Sequence, residues 1–504
     1  MFDLLAEAAA LAFTWQNLLG VLIGLALGAT LGAIPGLNGT MAIALIVPLT
    51  YFWEPLFSIA LLMGCWKGSI YGGSITAVLL NAPGTPEAAA TALDGYPLQQ
   101  KGQGRKALHM ALFASVAGAI FSDVLLLGAS GPISSLALKF GPAELAMLIF
   151  FSLVLVAGTG GDSHLKGLIS TMLGVLIAVV GLDPMTAQRR MTFDVLELDS
   201  GFDLLAMLIG LLVLSEVINQ IWDGEANEAR SAAGPRPLDR SRLTLAEIRG
   251  SAGVIFRSSL IGSFCGALPG VGAITAAFMG YDQARMSSPH PERFGKGELR
   301  GVAAPEAANN AVCGSALIPL VTLGIPGSLS VAVIMGAFMV HGVSPGPMLM
   351  IEHRDLVYAL FLLLLLSDIL LPLIALPLIA VGQRLVMIPK RYLFPVIVIL
   401  CGTGAYSTHQ SLFDVKVMVL FAILGFAMKR FQLSPAALLI AFILAPMAEV
   451  YIRQALRISR GDVLVFVASP IAAFFALATI GLFAWSFYRN RRATQQKTAS
   501  QPAE

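Results

Sequence analysis

The sequence predicts an all-α polytopic membrane protein, and three observations carry that prediction. Of 504 residues, 57% are hydrophobic and 12% charged, with a mean hydropathy of +0.80, which leaves too little polar side chain to cover a water-facing surface. Apolar runs recur at 107–130, 164–181, 203–221, 355–380 and 464–487, each long enough to cross a hydrocarbon core of ~30 Å. Membrane-spanning strands would instead give alternating segments of ~10 residues. The chain therefore reads as a bundle of roughly twelve helices.

The opening "MFDLLAEAAA" carries Asp3 and Glu7 and no basic residue, unlike the positive start of a cleaved signal peptide, so the first span is expected to be retained. Residues 222–250 hold ten charges in 29 positions and read as a cytoplasmic linker. It separates a first transmembrane repeat at 1–221 from a second at 251–463. A further helix at 464–488 and a cytoplasmic tail at 489–504, basic in "YRNRRATQQK", complete the expected organisation.

The two halves repeat each other. Pro35-Gly36 aligns with Pro269-Gly270, "LNAPGT" (80–85) with "LGIPGS" (323–328), and "FSDVLL" (121–126) with "LSDILL" (366–371), at offsets of 234, 243 and 245. Three ordered matches point to a duplication rather than to chance in Gly- and Leu-rich sequence. Loop charge reverses between the copies. "YFWEPLF" lacks Lys and Arg where the second half has Arg285, Arg293, Lys296 and Arg300, and Lys101, Arg105 and Lys106 of the first half face only Arg354. Equivalent loops thus prefer opposite sides of the membrane, which predicts two inverted-topology repeats with Pro-Gly-broken helices meeting at a binding site.

Each break offers what a small anion needs. Thr85-Pro86-Glu87 reads as a helix start, with Thr85 at the N-cap and Pro86 at the first helical position, and Ser328 holds the matching place. Free N–H groups and the positive end of the dipole attract carboxylate there. Gly36, Gly39, Gly84, Gly270, Gly272 and Gly327 would let a ligand approach backbone, and Asn38, Thr40, Asn81, Thr275 and Thr322 offer neutral hydrogen bonds. The plainer reading is that such kinks serve helix packing.

In "PEAANNAVCGSA" (305–316), Glu306, Asn309 and Asn310 fall on one helical face. They could coordinate Na⁺, take up a proton or bind substrate, or they could be an interhelical hydrogen-bond cluster. Asp123 and Asp368 are mirrored acids in apolar spans and candidates for cation coupling. Lys67 could be a substrate counter-charge, pair with one of those acids, or snorkel to an interface.

Other chemistry is weakly signalled. Cys65, Cys265, Cys313 and Cys401 are widely separated in apolar sequence, so neither a disulfide nor a metal cluster is expected. With a net charge of +2 and no basic block, nucleic acid is not an expected partner. "GTGGD" (158–162) is similar to the GxGD of membrane aspartyl proteases but has Thr159 at the first Gly, and there is no Walker A or HExxH sequence. Besides transport, an intramembrane enzyme or a passive channel stays open on these residues.

"GAIPGLNGT", "YGGSITAVLLNAPGT", "LDGYPL", "KGLIS", "GLDP", "GALPGVGA", "PERFGKGELRGVAAPEAANNA" and "LVTLGIPGS", followed by "FDV", "RQAL" and "SRGD", closely resemble the large membrane subunit of tripartite tricarboxylate transporters, the TctA family. The resemblance implies a multi-pass permease of the bacterial inner membrane, working with a small membrane subunit and a periplasmic solute-binding protein. It also implies ATP-independent uptake of carboxylates such as citrate, with Na⁺ or H⁺ as coupling ion and no cofactor. The Pro-Gly motifs and Glu306, Asn309 and Asn310 match the family pattern, whereas Asp123, Asp368 and Lys67 rest on position alone. "GLDPMTAQRRMTFD" departs from the pattern at Ala187 and Asp194, where Gly is usual.

Overall fold

The computed structural model describes residues 2–34, 36–159, 164–223, 240–385 and 390–499. Pro35 of the first break, Gly160 to Asp162 of "GTGGD", linker residues 224–239 and tail residues 500–504 lie outside the described residues.

Among the described residues, regular structure is helical apart from a two-residue antiparallel pair, Gly181–Leu182 with Arg189–Arg190. The first half runs α1 (Phe2–Ala12), α2 (Trp15–Gly32), α3 (Gly39–Thr50), α4 (Pro55–Leu80), α5 (Ala88–Gln100), α6 (Gly104–Ala137), α7 (Pro142–Thr159) and α8 (His164–Ala178). It closes with α9 (Leu204–Leu208), which continues through a wider π turn at Ile209–Leu214 into α10 (Ser215–Trp222). The second half runs α11 (Leu245–Ala267), α12 (Gly272–Met286), α13 (Leu299–Leu323), α14 (Leu329–Val340), α15 (Leu349–Glu352), α16 (Arg354–Leu385), α17 (Lys390–Ser407), α18 (Leu412–Arg430) and α19 (Pro435–Ile458). A short α20 (Val465–Ala468) leads into α21 (Pro470–Ala499).

Helices α4 and α13 form the centre, buried without interruption from Ser58 to Leu79 and from Gly301 to Thr322. Small residues make that depth possible. Along α2, Gly24, Gly28 and Gly32 recur every fourth position, so one face has no side chains. A Cβ there would come within 2.1, 1.9 and 2.2 Å of the backbone oxygens of Leu61, Cys65 and Ser69 on α4. The second half repeats the device, with Gly262 of α11 placed so that a Cβ would lie 2.0 Å from the Ala308 oxygen of α13. Backbones that approach this closely are a hallmark of membrane helix packing. The long helices cross over between halves: α6 lies on α13, and α16 lies on α4.

Five described helices combine the length and hydropathy of a membrane span: Trp15–Gly32, Gly104–Ala137, Leu204–Trp222, Arg354–Ala380 and Pro435–Ile458. Six shorter ones are apolar, among them Gly39–Thr50 and Leu329–Val340. The helices expected to build a bundle of roughly twelve spans are thus of mixed length and hydropathy among the described residues. Helices that face protein need not be greasy, and broken ones need not be long.

Two boundaries shift. Helix α11 begins at Leu245, inside the expected linker, because Thr244 and Glu247 form a reciprocal capping box. Helix α21 continues past 488 to Ala499. At one end of the bundle, Asp94 of α5 accepts from Tyr281 Oη (2.9 Å) and from the backbone N–H groups of Gly295, Gly297 and Glu298 (3.0, 2.7 and 2.8 Å). Lys101 donates to the Lys296 carbonyl, and Lys106 pairs with Glu247 at 2.8 Å. The basic loops of the two halves therefore sit together.

Candidate functional site

Each of the four breaks is followed by a helix start, and all four starts line one cavity of about 370 Å³. Asn38, Gly39 and Thr40 come from α3, Pro86 and Glu87 from the start of α5, Gly270 to Thr275 from the start of α12, and Ser328, Leu329 and Ser330 from α14. Trp66 and Ile70 of α4 and Val312 and Cys313 of α13 complete it on one side, with Val156 of α7 and Ser434, Ala436, Ala437 and Ile440 around α19 on others. Asn38 caps α3 by accepting from Met41 N–H at 2.9 Å, and Ser328 caps α14 by accepting from Val331 N–H at 3.3 Å. The first N–H groups beyond each cap have no carbonyl within their own helix to bond. Thr40 Oγ1 and Ser330 Oγ, 2.7 Å apart, tie the starts of α3 and α14 together across the two halves.

Seven of the expected substrate-binding residues meet here: Asn38, Gly39, Thr40, Gly270, Gly272, Thr275 and Ser328. The other six lie outside the lining. Gly36 takes φ +95° and its carbonyl accepts from Gln220 Nε2 at 2.7 Å. Asn81 is exposed and ends α4 in the left-handed region at φ 55°, matched by Gly324 at φ 73° at the end of α13. It is a C-cap of the kind Asn and Gly provide. Gly84 N–H donates to the Gly73 carbonyl (3.2 Å), and Gly327 accepts from Gly270 N–H (3.0 Å), so both hold the breaks in shape. Thr322 Oγ1 bonds back to Ile318 O at 2.6 Å.

Thr85 corrects the sequence reading most directly. It was expected to cap a helix starting at Pro86, but α5 starts at Ala88, the cap position is Glu87, and no side chain caps it. Thr85 contributes its carbonyl, which accepts from Ala88 N–H at 3.1 Å in a turn preceding the helix.

The intramembrane charges lie in two groups. Lys67 of α4 is held between Asp123 of α6 and Asp368 of α16, at 2.7 Å from Asp368 Oδ1 and 3.2 Å from the Leu364 carbonyl. All three are at most 2% exposed, and Asp123 Oδ1 and Asp368 Oδ2 have no hydrogen-bond partner. Lys67 thus pairs with both mirrored acids. Glu306 is enclosed by hydroxyls: Ser74 and Thr91 donate to Oε1 (2.5 Å each) and Ser115 to Oε2 (2.8 Å). Asn310 Nδ2 donates to the Glu306 carbonyl (3.0 Å), while Asn309 Oδ1 is buried without a partner. The shared helical face of Glu306, Asn309 and Asn310 is real, but it faces neighbouring helices rather than the cavity.

Sequence reasoning missed Ser330, Ser434 and Trp66 in the lining, and treated Glu87 only as part of a helix signature. Ser330 stands two residues past the cap Ser328, as Thr40 stands two past Asn38, so the repeat itself contained that signal. A second cavity of about 440 Å³ shares Asn38, Thr40, Leu329, Ser434 and Ala436 with the first and extends to Glu216 and Lys429, paired at 2.8 Å.

Fully sheathed central helices, broken helices whose starts converge inside the bundle and an apolar periphery define a multi-pass α-helical membrane protein of the transporter class. The sequence profile of the Tripartite tricarboxylate transporter TctA family matches residues 18–440, and the chain belongs to that family. It is similar to the "Uncharacterized 52.8 kDa protein in TAR-I ttuC' 3'region" of Agrobacterium vitis, with 37% identity over 471 residues, 94% of this chain and 93% of that protein. It also resembles the "Uncharacterized protein in TAR-II ttuC' 3'region" of the same organism, with 42% identity over 221 residues, 44% of this chain and 90% of that protein. No solved structure matches.

Proposed function

We propose that this chain is the permease subunit of a binding-protein-dependent secondary transporter that imports tricarboxylates or related carboxylates across the bacterial inner membrane, driven by a Na⁺ or H⁺ gradient. The observation that carries the reading is the convergence of four helix starts on one cavity whose described lining contains no Lys, Arg or His. Oriented N–H groups and partial positive charges suit a small anion, and they stay in place without burying cations. The volume falls within the range of small-molecule sites.

Inverted repeats are supported by matched pairings. Helix α2 lies on α4 as α11 lies on α13, α3 meets α14 as α12 meets α5, and α8 meets α19 as α18 meets the α9–α10 segment. Each comparison exchanges equivalent helices of the two halves, as a pseudo-two-fold axis requires. The Glu216–Lys429 end of the second cavity adjoins the start of the charged linker, where Arg430 pairs with Asp223 at 2.6 Å. With the linker read as cytoplasmic, that end is the cytoplasmic side of the cavity in this reading. The expected coupling residues Asp123, Asp368, Glu306, Asn309 and Asn310 are buried outside the cavity lining, so a coupling ion reaches them only when the bundle opens. A small membrane subunit and a periplasmic solute-binding protein are the partners this reading requires, with lipid around the apolar surface.

Uptake of a labelled carboxylate panel into vesicles containing all three components, under imposed Na⁺ or pH gradients, tests the proposal. Accumulation that needs the binding protein and one of the gradients supports it. Flux independent of both would make the chain a channel.

A further inference from the structure

The cavity lining includes one carboxylate, Glu87, and no basic residue among the described residues. Glu87 occupies the cap position of α5 without capping it, forms no ion pair among the described residues, and is partly exposed. The space it is exposed to is the cavity. An anion docked against the four helix starts would therefore share a desolvated chamber with a second negative charge. At a few ångströms, out of bulk water, like charges repel each other strongly. A site meant only for an anion would be better served by an amide there.

No cation among the described residues pairs with Glu87, whose carboxylate meets only the Thr85 hydroxyl and its own backbone N–H. On α13 its neighbours are Glu306, already enclosed by Ser74, Thr91 and Ser115, and Cys313 of the cavity wall. Lys67 of α4, the buried cation of the bundle centre, is occupied by Asp123 of α6 and Asp368 of α16. On α12, Tyr281 is bonded to Asp94. The ion-pair triad and Glu306 are sealed at 2% exposure or less. Glu87 is thus the acid placed where an ion arriving from water can meet the substrate.

We propose that Glu87 is the proton-binding residue of the substrate cavity, so that a carboxylate anion and one proton enter together. The proposal rests on the reading of this cavity as a carboxylate site. The proton comes from the aqueous phase to which the cavity is open, sits on a Glu87 carboxyl oxygen while the anion is held, and leaves to the opposite phase with it. A single carboxyl oxygen suits a proton, whereas Na⁺ would need several oxygens at once. Thr91, one turn further along α5, joins the same helix to Glu306, which would let the charge state at the cavity influence the packing of α5 on α13.

The test uses the reconstituted three-component system with a labelled carboxylate, comparing wild type, Glu87→Gln and Glu87→Asp. Wild type is expected to accumulate substrate under a pH gradient, with a rate changing up to about tenfold per pH unit where the carboxyl titrates. Glu87→Gln should lose pH-driven accumulation by roughly tenfold or more, with residual exchange independent of pH, and Glu87→Asp should restore a pH-dependent rate. Binding of the carboxylate, read by thermal shift of the purified complex, reports that Glu87→Gln is folded, and its dependence on pH should disappear in parallel. If wild type transports carboxylates and Glu87→Gln retains the wild-type pH profile, or if accumulation follows Na⁺ alone, the proposal is overturned while the carboxylate reading stands. If wild type neither binds nor moves any carboxylate, the underlying reading fails instead.

Discussion

Replacing Lys67 with Met keeps the reach of the side chain and removes its charge from between two buried carboxylates. At salt-bridge distance each attraction contributes roughly 4 kcal/mol at an effective dielectric constant near 20, about 8 kcal/mol for the two pairs. Against this stands desolvation of three ions at several kcal/mol each. The intact triad is therefore close to neutral for stability, but Lys67→Met leaves Asp123 and Asp368 uncompensated at 2% and 1% exposure. The expected cost is about 3–5 kcal/mol. Neutralising the acids as well, in Lys67→Met/Asp123→Asn/Asp368→Asn, should recover at least half of it, because no buried charge remains. Melting of the purified protein in detergent, followed by tryptophan fluorescence, gives the order: wild type highest, triple variant next, single variant lowest. A single variant as stable as wild type, or a triple variant no better than the single, would show that the three residues are not coupled as described.

Four further outcomes are expected. Ser328→Val removes a cap worth about 0.5–2 kcal/mol and should weaken carboxylate uptake about fivefold, whereas Thr85→Val, which removes no cap, should change it little; equal effects in uptake assays would contradict the cavity assignment. Ala187 and Asp194 sit at φ 56° and 59°, so Ala187→Gly and Asp194→Gly should each raise thermal stability by about 0.5–1 kcal/mol, and a loss would refute strain there. Asp183 accepts from the N–H groups of Met185 and Thr186 and from Arg453, which hold its carboxyl well below the usual range. Its contribution is then present above the unfolded carboxylate pKa of about 4 and lost as pH falls through the depressed folded value. Melting curves should show a stability gap between wild type and Asp183→Asn that is constant at neutral pH and closes only in strong acid; a gap unaffected by acid would falsify the assignment. Cysteines introduced at the exposed residues 292 and 53 should react with a membrane-impermeant maleimide from opposite sides, and labelling from one side would end the inverted-repeat reading.

Membrane residence, the helical class and the four breaks followed from the sequence by itself, because a 30-Å apolar slab imposes its length on the chain and Pro-Gly pairs interrupt helices by local chemistry. The mirrored "FSDVLL" and "LSDILL" anchors marked the two acids, and pairing of Lys67 with one of them was among the readings; it pairs with both. Ser328 was legible as a cap for the same local reason. Thr85 was not excluded, since the turn through Pro86 and Glu87 that delays α5 is set by how Gly84 is bound to Gly73. The depth of α4 and α13 was not legible, because both are sheathed in protein and hydropathy reports the apolar character of a helix rather than its place in the bundle. The pairing of Lys67 with both acids, the hydroxyl enclosure of Glu306, and the meeting of Thr40 with Ser330 join residues 56 to 301 positions apart. No local pattern encodes such distances. They are decided by helix packing, where glycine faces let backbones approach and so fix which side chains share a buried space.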